Sequence, residues 1–193
     1  VVYFEQIEYL PGDDITITFN QVGNYQDATA IYADSIGYIY SAYVDGYVQL
    51  FEYADSLNNY YVIDTYHSNN SALTGNPVID IDIDSEGRMW AISSEPLEVF
   101  SYDGTLWQSF NQYNSPIVDS LSFTVLEIDD NDNIFIGSEY NGIYEYDGTN
   151  WTILNSENSG LMHNNVKAIH KDSQSNTKWI GTWAGGLAAY NEE

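Results

Sequence analysis

Apolar and polar residues alternate in short runs along this chain, and the runs come in groups. The clearest group starts at Phe123-Thr124-Val125-Leu126-Glu127-Ile128 and continues through Ile134-Phe135-Ile136-Gly137, Ile143-Tyr144-Glu145-Tyr146 and Trp151-Thr152-Ile153-Leu154. Between the runs stand Asp129-Asp130-Asn131-Asp132-Asn133, Asn141-Gly142 and Asp147-Gly148. Asp, Asn and Gly tolerate left-handed backbone, and Asp and Asn also bond their own main chain, so they turn it sharply. The pattern predicts four short antiparallel strands joined by hairpins.

The same plan recurs. One group predicts strands at 28–33, 38–43, 47–53 and 60–64, and the next at 78–83, 89–92, 97–102 and 106–110. The last group predicts only three, at 166–170, 178–182 and 187–190. Tyr40, Trp90, Phe135 and Trp179 hold one position of the second strand, at spacings of 50, 45 and 44 residues. Tyr53, Tyr102, Tyr146 and Tyr190 run in step at 49, 44 and 44. Two markers with one period in the forties predict the blades of a β-propeller.

The expected fold is therefore all-β: a small propeller of about four four-stranded blades in a single domain, with repeats at about 25–77, 78–120, 121–164 and 165–193. The strand missing from the last repeat has a candidate at residues 15–21, because Ile15-Thr16-Ile17-Thr18-Phe19-Asn20-Gln21 resembles Leu106-Trp107-Gln108-Ser109-Phe110-Asn111-Gln112. Closure by this strand would remove an exposed sheet edge. Val2–Leu10 also reads as a strand, which leaves the alternative that the repeats form part of a larger ring. A chain that starts at Val1 rather than Met fits a processed or excised segment.

Charge narrows the partners. The chain carries 29 acidic residues against Arg88, Lys167, Lys171 and Lys178, for a formal charge of -25. Such a surface repels nucleic-acid backbones and anionic membranes. No run of about 18 apolar residues is present, so no membrane-inserting helix is expected. The partners that remain are protein or neutral glycan, and oligomers are expected if one chain does not close the ring. With no cysteine, thiolate catalysis and cysteine zinc sites are excluded.

The last two repeats carry a further signature. Gly160-Leu161, Asn165-Val166, Ala168-Ile169, Asp172, Trp179-Ile180-Gly181-Thr182, Gly185-Gly186-Leu187 and Tyr190 fall in order along the final repeat. This resembles the two-component regulator propeller repeat. In that family the repeats build propellers in the periplasmic sensor regions of bacterial histidine kinases or in secreted proteins. The resemblance implies an extracytoplasmic binding module (periplasmic, cell-surface or secreted) and supplies no catalytic residues. Signal transduction by this chain alone is not expected, since no kinase segment accompanies the four repeats.

Candidate chemistry is sparse. Asp80, Asp82 and Asp84 alternate along one strand and offer oxygens of the kind Ca²⁺ takes. Turn-building is the competing reading of these acids, and no other cofactor is expected. The same acids recur in register in other repeats, which argues against a single glycosidase acid/base pair. His67, His163 and His170 are scattered and read as surface residues. Trp90, Phe135, Trp179 and Tyr40 read as blade-to-blade core. Trp183, by contrast, stands in a loop where the repeats place Tyr43, Ser94 and Glu139. Exposed rings of this kind stack on ligands. Ligand-binding candidates are Asn76, Asp119, His163 and Asn164 from loops entering the first strands, with Tyr140 and Trp183 from loops after the second strands. Whether these loops share a rim is left open by the sequence. The function expected is a non-catalytic binding or interaction module. A carbohydrate-binding lectin is the alternative, and a polysaccharide lyase or hydrolase on a propeller scaffold is a third.

Overall fold

A computed structural model describes residues 3–9, 15–21, 27–34, 36–54, 59–74, 77–118, 122–172, 174–175 and 177–191. Every regular element among them is a strand. These are β1 (Tyr3–Tyr9), β2 (Ile15–Gln21), β3 (Ala28–Ala33), β4 (Ile39–Tyr43), β5 (Val48–Ala54), β6 (Asn59–Tyr66), β7 (Val78–Ile83), β8 (Met89–Ser94) and β9 (Leu97–Tyr102). There follow β10 (Trp107–Phe110), β11 (Phe123–Ile128), β12 (Ile134–Ser138), β13 (Ile143–Tyr146), β14 (Trp151–Leu154), β15 (Val166–Lys171), β16 (Lys178–Thr182) and β17 (Gly186–Tyr190).

The strands assemble as three four-stranded sheets, β3–β6, β7–β10 and β11–β14, and one three-stranded sheet, β15–β17. These are the expected blades, and the predicted strand positions match to within a residue or two. The closing strand does not behave as expected. Residues 15–21 pair antiparallel with β1 as a separate two-stranded sheet, and among the described residues the last blade has three strands. The physical reason is local: Tyr3–Tyr9 is a strand of matching length just upstream, and a hairpin closes a far shorter loop than a pairing with β17 would.

Two devices repeat from blade to blade. Each innermost strand carries a register shift at its second residue, between Ala28/Ala30, Val78/Asp80, Phe123/Val125 and Val166/Ala168. The bulge turns the strand's later side chains toward the next blade. Each turn after an innermost strand opens on an aspartate. Asp34, Asp84 and Asp129 each accept two downstream N–H groups on one oxygen, and Asp172 accepts the N–H of Gln174. The turn acids are therefore structural. Asp132 sits at φ +62° where the equivalent turns use Gly37 and Gly87, and its carboxylate takes Ser85 N–H and Oγ–H from the preceding blade.

A third device, which reading the sequence for strands did not bring out, shapes the loops leaving the outer strands. Asn111 N–H donates to Asn114 Oδ1, and Asn155 N–H to Asn158 Oδ1. His67 N–H does the same with Asn70 Oδ1. The turn then delivers Leu73, Ile117 or Leu161, all buried, as a plug over the blade junction. Its signal was an Asn-x-x-Asn-Ser spacing recurring at 44 residues.

The core lies between blades rather than within them. Trp90, Ile92 and Val99 pack against Leu126, Ile134 and Tyr144 of the next blade, and Phe135 and Ile143 against Ile169 and Ile180 of the one after. Trp90 and Phe135 thus fill the core role expected of them, and Tyr40 is half-buried at its own junction. Trp179 does not, being 41% exposed. Among the described residues, no extensive contact joins β15–β17 to β3–β6. The described blades form an arc.

Candidate functional site

The innermost strands converge on a cleft of about 840 Å³ that opens among the turns after them. The fifth residue of each of these strands lines it: Tyr32, Asp82, Glu127 and His170. Asp80, Asp130 and Asp132 add to an acidic wall, which Lys171 partly neutralises with its Nζ 2.7 Å from Asp130 Oδ1.

These acids are committed to the fold. Asp80 accepts the N–H of Leu126 at 2.9 Å, and Asp82 that of Ile128 at 2.9 Å, both from the neighbouring blade. Glu127 repeats the device one blade later on the N–H of Lys171 at 2.8 Å. Burial raises the pKa of all three, and that of Asp82 reaches about 7 although Ile83 and Ile128 N–H groups pull it down. As calcium candidates, Asp80, Asp82 and Asp84 offer six oxygens, and each already accepts an N–H, Asp84 Oδ2 from the indole of Trp90. Among the described residues, no group of three His, Asp or Glu is arranged to hold a metal ion.

The opposite rim is different in kind. The loops entering the innermost strands and those after the second strands meet there through main-chain bonds. Gly142 N–H donates to Asn164 O at 2.9 Å, Glu139 N–H to Ser122 O at 3.0 Å and Trp183 N–H to Asn165 O at 2.7 Å. The two loop sets share one rim. The matching bonds of Val44 and Ser94 show that Trp183 is equivalent to Val44, Ser94 and Glu139, one residue later than Tyr43 in the first blade.

On this rim Trp183 is 64% and Tyr140 66% exposed, and Met162 stands exposed beside His163. Lys167 links the two blades. Its Nζ lies 3.5 Å from Glu139 Oε1 and 5.9 Å from the centre of the Trp183 ring. The loop carrying Trp183 packs closely here, since a Cβ on Gly185 would come 2.9 Å from that of His163. Ala184 at its tip holds φ +60°.

The sequence candidates therefore separate. Trp183, Tyr140 and His163 gather on one rim with their side chains largely free, although His163 Nδ1 accepts the N–H of Asn165 at 3.0 Å. Asn164 belongs to the same rim but is spent on structure, its Oδ1 taking Ser156 N–H at 2.7 Å. Asn76 and Asp119 lie outside the described residues. Met162 and Lys167 were missed. An apolar residue in a polar loop, at Leu161-Met162-His163, was the available signal for the first. His67 and His170 serve other places, His67 Nδ1 bonding Asn69 N–H and His170 lying 4.0 Å from Glu127.

No protein-family model matches the chain, and no curated protein sequence matches it. Solved structures do. The extracellular domain of a putative hybrid two-component system from B. thetaiotaomicron superposes with a TM-score of 0.68 at 16% identity, over 94% of this chain and 24% of that one. A second, from a putative one-component system of the same organism, gives 0.63 at 22% identity, over 92% and 24%. A catalytically inactive virginiamycin B lyase from Staphylococcus aureus, with quinupristin, gives 0.61 at 14% identity, over 99% and 60%. The chain spans about a quarter of the length of the first two, at 24% each. At these identities the likeness is one of fold, and it agrees with the blades: this chain is a β-propeller arc.

Proposed function

We propose that the chain is a non-catalytic, extracytoplasmic binding module whose ligand engages the rim carrying Trp183, Tyr140, Met162 and His163. The observation behind this reading is the contrast between the two rims. The axial acids are consumed by backbone N–H groups that clasp one blade to the next. The opposite rim instead presents two exposed aromatic rings and a methionine in loops already fixed by main-chain bonds. Rigid blades that position exposed loop side chains are the usual ground for recognition. The location is supported by the repeat signature and by neighbours that are extracellular domains.

The ligand class is protein or neutral glycan. A charge of -25 disfavours anionic partners, and an exposed indole beside polar groups suits either a sugar face or an apolar side chain. The test is a panel of neutral glycans and peptides assayed on the parent and on Trp183→Ala, with mass spectrometry of the recovered ligands. Saturable binding that Trp183→Ala abolishes, with every ligand returned intact, is expected. Turnover of any polysaccharide would replace this reading with a lyase or hydrolase.

A further inference from the structure

Over the junction of the third and fourth blades, most polar side chains of the rim are spent on the rim itself. Ser138 Oγ–H donates to Gly142 O at 2.9 Å, and the same oxygen accepts the N–H of Asn141 at 3.0 Å. Asn141 Nδ2 donates to Tyr144 Oη at 2.9 Å. His163 Nδ1 and Asn164 Oδ1 hold the N–H groups of Asn165 and Ser156, and Glu139 faces Lys167. Asn165 Oδ1 is enclosed and out of a ligand's reach. What stands out into solvent is the ring of Tyr140 and the thioether of Met162, 66% and 75% exposed. Both blades of this junction are described, and the bond from Gly142 N–H to Asn164 O ties the two loops together.

A sugar is oriented by several directional hydrogen bonds as well as by stacking, and here each would compete with a bond already made. An apolar side chain asks for none of them. Tyr and Met are enriched at protein interfaces, and Met adapts its shape to what it meets. The charge of the rim selects further. The turns after the second strands of the first three blades carry Asp45, Glu95 and Glu139, and Glu157 is exposed next to Ser156. Of the four bases, Arg88 and Lys171 pair with acids of the axial side and Lys178 is buried with Asp129, so Lys167 alone reaches the rim.

We propose, resting on the reading of the rim given above, that the ligand is a segment of a partner protein in which an apolar anchor is flanked by lysine or arginine. The anchor seats on Tyr140 and Met162, and the flanking bases meet the acids around them. The loops are fixed before the partner arrives, so little ordering is needed on this side. Attraction between the acidic rim and a basic segment speeds encounter and is screened by salt.

The probe is a random-peptide phage library selected on the parent, with the enriched sequences then made as synthetic peptides. A panel of neutral oligosaccharides is run beside it. Enriched peptides are expected to carry Trp, Phe or Leu beside Lys or Arg. Their binding should weaken by about tenfold or more in Tyr140→Ala combined with Met162→Ala, at an unchanged near-ultraviolet dichroism spectrum. Tyr140→Phe should keep most of the affinity, since the ring is what the anchor meets. Leu106→Ala, in the exposed turn between β9 and β10 on the opposite rim, should bind like the parent. Raising salt from about 50 to about 500 mM should slow association severalfold. Absence of any enriched peptide, or enrichment of acidic ones, would overturn the proposal. An oligosaccharide that binds the parent and not the double variant would overturn it while leaving the rim as the site. Ligands of either class that bind the double variant as well as the parent would overturn the rim reading with it.

Discussion

Lys178 is the strongest single lever on the junction of the third and fourth blades. Its side chain is 0% exposed and its Nζ lies 2.6 Å from Asp129 Oδ2, itself fully enclosed. The ammonium also sits 4.7 Å from the centre of the Phe135 ring. Replacing Lys178 with Met keeps the bulk and removes the charge, leaving a buried carboxylate without its counter-ion. Breaking such a pair typically costs ~3–5 kcal/mol. Asp129 keeps the N–H groups of Asn131 and Asn133, both at 2.9 Å, which places the loss near the lower end. About 3 kcal/mol corresponds to a fall in Tm of roughly 6–12 °C for a chain of this size. The sign with pH follows from the same site. Burial pushes the Asp129 carboxyl up, but Lys178 and the two N–H groups outweigh it and hold the pKa below the usual range. In the parent this stabilisation is present above the unfolded-state value near ~4 and is lost as pH falls through the lower folded value. In Lys178→Met, burial is no longer opposed by the amine, so the deficit is largest at neutral pH and shrinks on acidification. Urea unfolding at pH 7 and pH 4 reads both effects. Asp129→Asn combined with Lys178→Met should recover most of the loss, because no unpaired charge remains. A cost below about 1 kcal/mol, or one equal at both pH values, would refute the reasoning.

Three further outcomes are expected. The Asp82 carboxyl is raised to about 7 by burial, and Asp80 and Glu127 are raised too, so their contribution is full below the unfolded-state value and declines as pH rises through the folded ones. Their share of thermal stability should therefore fall from pH 5 to pH 8, and Asp82→Asn should flatten that slope; an identical slope in the variant would contradict it. Ala184 at φ +60° should gain about 1 kcal/mol on replacement by Gly, read from chemical denaturation, and a loss would show that the methyl packs favourably. Trp183→Ala should change unfolding free energy by no more than ~0.5 kcal/mol while removing ligand binding, and a large loss of stability would return Trp183 to the core.

The blades were legible because their signals are local. Strand-forming runs and turn dipeptides such as Asn141-Gly142 act within a few residues, and the repeat supplied four readings of one plan. Strand 15–21 misled because its likeness to 106–112 records strand propensity, and pairing depends on which partner is near. Trp179 misled for a related reason. Its position in the repeat is a core position, but burial depends on what packs on the outward face of β15–β17, and there the ring is 41% exposed. Lys178 was invisible as a core residue, since an isolated lysine reads as solvated until its aspartate is seen one blade away. Of the binding candidates, Trp183 stood out as a ring outside the repeat pattern. Asn164 shared its loop, and its Oδ1 was already taken by the backbone of Ser156.

The most direct test of the binding reading is a backbone-amide NMR titration of the parent with the strongest binder from the glycan and peptide panel. The account predicts shifts concentrated at residues 139–142, 162–167 and 183–186, where the loops of the third and fourth blades meet. Shifts concentrated instead at residues 80–87, 127–132 and 170–172, around the axial cleft, would contradict it.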